Sequence, residues 1–281
     1  MDEKTFRDCI VVGIDGSDHA DAALGWAADQ AGLERRPLLI VHSAPDARRD
    51  PVREQMVQDA VHLASTGRTG IDIRTLVAED DPRETLITGS RSARLVVVGS
   101  HGRSRWRTAL LGSVSAAVAR HAACPVVVTK DVTRDSGLGV LVGADGTDAS
   151  RPVIEFAFRQ ASLRQQALTV THCFWDIAGE LAHGRDVRPD EAGVDDLRML
   201  LSASVAGLRE DYPDVPVELT LSRGLVDVVL AKELPAHDLL VVGRHPASGP
   251  ARLLYSSITA AVLEQGRGNV AVVPESPAAS G

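Results

Sequence analysis

The chain has 281 residues, room for two domains of ordinary size, and 44% of them are hydrophobic, which allows well-filled cores. Only 3% are aromatic, so those cores must be aliphatic, and Met, Trp and Phe are too few to build a stacking platform for nucleic acid. The 30 Lys and Arg against 38 Asp and Glu give a formal net charge of -8, which argues against general polyanion binding while leaving room for a local basic site.

The opening MDEKTFRDC is acidic and has no apolar h-region, so it does not read as a secretory signal. No apolar run approaches the roughly 18 residues of a membrane span. Cys9, Cys124 and Cys173 are odd in number and widely spaced, as expected of reduced core thiols rather than a disulfide framework. The expectation is a cytoplasmic protein that engages neither membrane nor nucleic acid.

In chain order, the first half alternates short β-branched runs with segments of helical spacing, the pattern of a parallel sheet covered by helices. The runs are CIVVGI at 9–14, LLIVHS at 38–43, IDIRTLV at 71–77, RLVVVGS at 94–100 and PVVVTK at 125–130. Between the first two, Ala20, Ala23, Leu24, Ala27 and Ala28 form an apolar helical stripe; Val52, Met56, Ala60 and Leu63 form another. A short helix is predicted after Pro82, which suits a first-turn position because it lacks an N–H that would be unsatisfied there. A last helix containing Val114, Ala117 and Val118 precedes Pro125.

The second half repeats this order with GVLVGA at 139–144, ALTVTHC at 167–173, PVELTLS at 216–222, DLLVVGR at 238–244 and NVAVVP at 269–274. VVGIDGSD at 11–18 matches LVGADGTD at 141–148, and His42 matches His172, both 130 residues on; Gly99 and His101 match Gly243 and His245 at 144. The extra length is expected in WDIAGELAHGRDVRPDEAGV at 175–194, which reads as a mobile crossover loop poor in strand character. DVTRDSG at 131–137 is a short linker, giving domains at 1–131 and 137–276, with the strands that end each domain expected to pair edge to edge within the chain.

Ligands of open parallel sheets sit beyond the carboxyl ends of the strands where the strand order reverses. Asp15 follows the first strand and precedes Gly16 and Ser17; it is open to two readings, a turn or cap residue and an acceptor for a base or ribose. The fourth strand ends at Gly99 and leads through Gly102, Arg103, Arg105 and Arg107 to Gly112, Ser113 and Ser115 at a helix start. Glycines permit close backbone approach, free N–H groups at a helix start attract an anion, and Ser113, Ser115 and Arg103 or Arg105 offer donors to phosphates. Neither GxGxxG nor GxxxxGK is present, and GxSxG and HExxH are also missing. No catalytic residue and no metal ligand is assigned; His42, His101, His172 and His245 read as structural or pocket-rim residues.

The run from Gly99 through Gly102 to Gly112 and Ser113, entered from VVVGS and leading into SVSAAVARHAACPVVV, resembles the ATP-binding signature of the universal stress protein family, and VVGIDGSDHA resembles that family's first strand and aspartate. The resemblance covers nearly the whole chain as two tandem domains. It implies two Rossmann-like domains of the adenine nucleotide alpha hydrolase-like type, each a five-stranded parallel sheet ordered 3-2-1-4-5, with dimerisation through the fifth strand. It also implies ATP as ligand, with Asp15 on the adenine or ribose side, Val41 lining the adenine pocket, Gly99, Gly102 and Gly112 forming the phosphate loop and Ser113 on the phosphates. Ser115 extends that assignment.

In the second half Gly102 is replaced by Pro246, which removes an N–H donor, and Gly112 by Ser256, whose Cβ obstructs close approach, while Asp145, Gly243 and Ser257 are kept. The expectation is therefore a stress-response or regulatory protein with ATP, and Mg2+ on its phosphates, in the first domain. A homodimer and a protein partner that reads the loaded state go with that expectation. The rivals are a slow ATPase or adenylating enzyme, and an interaction protein in which both sites are vestigial. No general base is assigned, so turnover beyond slow hydrolysis is not predicted.

Overall fold

The computed structural model describes residues 3–45, 51–102, 111–130, 137–174, 185–188, 191, 193–244 and 252–275. The chain divides into two compact units, Met1–Asp131 and Val132–Gly281.

The first unit runs β1 (Ile10–Gly13), α1 (Asp18–Glu34), β2 (Leu38–Ser43), α2 (Pro51–Ser65), β3 (Ile73–Ala78), α3 (Pro82–Gly89), β4 (Leu95–Gly99), α4 (Ser113–His121) and β5 (Val126–Thr129). All its pairings are parallel, in the order β3-β2-β1-β4-β5. The β-branched runs become strands because both faces of the sheet are covered: Ile10, Val11 and Val12 in β1 and Leu95, Val96 and Val97 in β4 are wholly buried. Full burial of each such side chain stabilises by about 1.5–3 kcal/mol. Ser17 caps α1, its Oγ accepting from the Ala20 N–H at 3.3 Å. Asp81 caps α3 with Pro82 in its first turn, as expected.

The two predicted stripes fare differently. All five named residues of α1 are buried, whereas in α2 only Ala60 of the four is, together with Ala64. The helix turns its alanines inward, which lets it lie close, and leaves Val52 76% and Leu63 40% exposed.

The second unit runs β6 (Val140–Gly143), α5 (Arg151–Arg164), β7 (Leu168–Phe174), β8 (Arg185–Asp186), α6 (Asp195–Asp211), β9 (Val217–Arg223), α7 (Val226–Glu233), β10 (Leu239–Arg244), α8 (Arg252–Gln265) and β11 (Asn269–Pro274). Its order β9-β7-β6-β10-β11 is the same 3-2-1-4-5 arrangement. One expectation is corrected: the second sheet is not a purely parallel sheet of five strands, because the two-residue β8 in the crossover pairs antiparallel with β9 and makes it mixed. An edge strand presents unpaired N–H and C=O groups, and β8 covers part of that edge. Val187 donates to the Leu221 carbonyl at 2.8 Å, and a largely buried Arg223–Glu191 ion pair at 2.6 Å fastens the segment. Cys9 and Cys124 are buried and Cys173 is half-buried, none in a disulfide; burial pushes the Cys9 thiol up. Among the described residues no helix is long and apolar enough to cross a membrane.

Candidate functional site

β1 and β4 are neighbours in the sheet, yet the chain leaves β1 toward β2 on one side and β4 toward β5 on the other. A crevice opens at their carboxyl ends. Asp15 stands on one side of it. Its Oδ1 accepts from the Ser17 N–H at 3.1 Å and from the Ser17 hydroxyl at 2.6 Å, so the residue that caps α1 also fixes the carboxylate.

Gly99 ends β4. A Cβ added there would sit 2.5 Å from the His19 carbonyl oxygen, so glycine is what lets the first turn of α1 close onto the strand. Beyond it Ser100 is buried, and its carbonyl accepts from the Gly112 N–H at 2.8 Å. The two ends of the glycine loop are thereby tied together. A Cβ on Gly112 would lie 3.3 Å from that same carbonyl, tighter than packing ordinarily allows. Gly102 faces Asp15: a Cβ there would meet Oδ2 at 2.6 Å. The sequence-predicted residues Asp15, Gly99, Gly102 and Gly112 thus share one crevice.

α4 begins directly after its N-cap residue Gly112, which has no side chain with which to cap it. An α-helix leaves its first backbone N–H groups without intrahelical partners, and their partial positive charge favours an anion. Ser113 is exposed at this end. Ser115 is not: it is buried, and its hydroxyl donates to the Gly99 carbonyl at 2.5 Å, so that proton is engaged inside the protein. Thr259 makes the corresponding bond to the Gly243 carbonyl at 3.3 Å in the second domain. Val41 is 2% exposed and its carbonyl accepts from the Ile14 N–H, so its side chain belongs to the core beneath the crevice. Arg103, with Arg105 and Arg107, lies outside the described residues.

Sequence reasoning named His101 as a structural or pocket-rim residue but missed His19 beside it. The His19 and His101 rings lie 5.2 Å apart and tilted, His101 Nδ1 reaches the Ser100 hydroxyl at 3.1 Å, and His19 Nδ1 is buried with no hydrogen-bond partner. The available signal was a histidine immediately after each motif, DGSDH and GSH. His42 and His172 play matching roles, Nδ1 meeting the carbonyls of Ile14 at 3.1 Å and Ala144 at 2.9 Å.

The second domain keeps half of the arrangement. Asp145 Oδ1 accepts from the Thr147 N–H and hydroxyl, both at 2.8 Å. The helix start differs: α8 begins at Arg252 and runs through Ser256 and Ser257, the counterparts of Gly112 and Ser113. Backbone N–H groups that end a helix in the first domain are inside one here, where intrahelical bonds consume them. Pro246 lies outside the described residues. Among the described residues no group of three or more His, Cys, Asp or Glu is placed to hold a metal ion.

A model of the universal stress protein family matches residues 7–130 and 139–274. A universal stress protein of Mycolicibacterium smegmatis is 32% identical over 293 residues, covering 94% of this chain and 96% of that protein. One from Mycobacterium tuberculosis is 32% identical over 290 residues, covering 95% and 97%. The crystal structure of a universal stress protein from Archaeoglobus fulgidus superposes with a TM-score of 0.65 at 18% identity, covering 96% of this chain and 97% of that one; at that identity the likeness concerns the fold.

Proposed function

The chain belongs to the universal stress protein family, and from that membership we propose that it is a stress-response or regulatory protein that binds ATP in the crevice of its first domain. Membership supports the general stress-response and nucleotide-linked role. The particular site rests on one observation: the Asp15 carboxylate packed against the Gly102 backbone, beside the start of α4, where the N-cap residue is a glycine.

The charges orient the ligand. A carboxylate repels phosphate and accepts hydrogen bonds from neutral donors, so Asp15 takes the adenine or ribose end. The polyphosphate lies along Gly102, Gly112 and Ser113, where backbone N–H groups and the helix dipole favour negative charge. Mg2+ rides on the phosphates, not on a protein-built cluster. Arg103 closes over the outer phosphates in the same proposal, and Ser115 acts behind the site by holding α4 to the end of β4.

The ligand is held rather than turned over, and a protein partner reads the loaded state. The second domain does not take ATP, since α8 continues through the position where the first domain opens its anion site.

Titration calorimetry of nucleotide-freed protein with ATP and Mg2+ tests this. One ATP per chain is expected, lost in Gly102→Pro, with slow phosphate release at most in a steady-state assay. Absence of binding at millimolar ATP, weaker than about -4 kcal/mol, overturns the nucleotide reading; two equivalents per chain overturn the asymmetry.

A further inference from the structure

The stripe of α2 that the core does not absorb lines a groove of about 710 Å3 against α1. Val52, Met56 and Leu63 form its apolar wall, and Asp21 from α1 and Asp59 from α2 are its charged groups; no Lys, Arg or His is among the residues that line it. From Pro51 to Leu63 the wall runs about 18 Å at 1.5 Å per residue, the length of a three-turn helix.

The electrostatics of the groove point one way. Burial, Asp18 and Asp15 all act to raise the pKa of the Asp21 carboxyl, which means that a cation placed there relieves repulsion among three carboxylates. Asp59 is oriented, its Oδ1 accepting from Gln55 Nε2 at 2.8 Å. Acid on the two flanking helices with an apolar strip along one of them is the complement of a helix with one apolar face and Lys or Arg beside it.

The second domain supplies an internal control. Gly146 packs under Leu200 as Gly16 packs under Met56, a Cβ meeting the side chain at 2.6 and 2.9 Å respectively, which sets α2 and α6 in register. In that register Val52 becomes Asp196, Asp59 becomes Ala203 and Leu63 becomes Gly207, while Met56 keeps an apolar counterpart in Leu200 and Gln55 becomes Met199. The apolar wall loses both of its ends and an acid enters it, so the first-domain arrangement of apolar strip and flanking acids is not repeated in the second domain.

We infer that the α1–α2 groove of the first domain is a docking site for a basic amphipathic helix of a partner protein, its apolar face on Val52, Met56 and Leu63 and its cations at Asp21 and Asp59. This is independent of the nucleotide reading.

The test is fluorescence anisotropy on the full chain with a fluorescein-labelled Leu/Lys peptide of three to four helical turns, beside the same peptide with Glu replacing Lys. Saturable binding of the Lys peptide only is expected. Val52→Ser with Leu63→Ser weakens it tenfold or more, and Asp21→Asn with Asp59→Asn weakens it and flattens its salt dependence. Met199→Ser, at a side chain 66% exposed in the second domain, changes nothing. Melting curves confirm that each variant is folded. Equal binding by wild type and groove variants, binding of the Glu peptide, or no saturation overturns the proposal. So does self-association on sedimentation that the Val52/Leu63 variant abolishes, which assigns the groove to a second copy of the chain.

Discussion

Asp15 and Gly102 come from the ends of different strands and meet so closely that no side chain fits between them: a Cβ on Gly102 would lie 2.6 Å from Asp15 Oδ2. Gly102→Ala is therefore expected to push the carboxylate aside and lower ATP affinity tenfold or more, about 1.4 kcal/mol. Gly102 is exposed, so the melting temperature stays unchanged. Calorimetry and a thermal scan on the same preparation check both halves; unchanged affinity would separate the two residues functionally.

Ser17 serves two neighbours, donating to Asp15 and accepting from the Ala20 N–H. Ser17→Ala should cost about 1 kcal/mol as the loss of an N-cap and weaken ATP binding by freeing the carboxylate. Ser17→Thr should restore the hold on the carboxylate, because Thr147 makes the same pair of bonds to Asp145. Urea unfolding and ATP titration of the two variants distinguish this from a cap without influence on the site.

The two serines of α4 should separate. Ser115→Ala removes a buried hydrogen bond to the Gly99 carbonyl and should cost about 1–3 kcal/mol of stability. Ser113→Ala is exposed and should change stability by less than about 0.5 kcal/mol while reducing ATP affinity. The reverse pattern would make Ser115 the ligand residue.

Asp81 supplies a pH dependence. Hydrogen bonds from the Arg83 side chain and backbone hold its carboxyl down at about 2 against an ordinary 3.8. A depressed folded-state value means stability present above the ordinary value and lost as pH falls toward the folded one. Asp81→Ala should cost about 1 kcal/mol at neutral pH through the lost cap of α3, and the gap to wild type should narrow between pH 4 and 2. Chemical denaturation across that range measures it; a gap independent of pH would contradict the ionised cap.

Glycine is a steric statement, so positions of tight packing were legible. Gly99 and Gly112 were read as permitting close approach in a phosphate loop; the close approaches at these two positions are to the protein's own His19 and Ser100 carbonyls. Ser115 was not legible. A serine near a helix start offers its proton equally to a ligand or to the preceding strand, and only the packing of α4 on β4 decides which. The α2 stripe misled for a related reason: periodicity reports which residues are apolar, while the depth at which a helix sits is set by its smallest inward residues, here Ala60 and Ala64.

The sequence by itself determined the duplication and the class of sheet, because alternating β-branched runs and helical stripes leave a parallel sheet few ways to bury both faces; the family, and through it the strand order, came from the resemblance carried by the Gly99–Ser113 run and VVGIDGSDHA. Tertiary structure decided where helices begin and which edges are covered. β8 adds to β9 as cover for part of an edge strand, and α8 starts at Arg252 while α4 waits until Ser113. Those choices depend on which partner each backbone N–H and C=O finds, and sequence spacing does not carry that information.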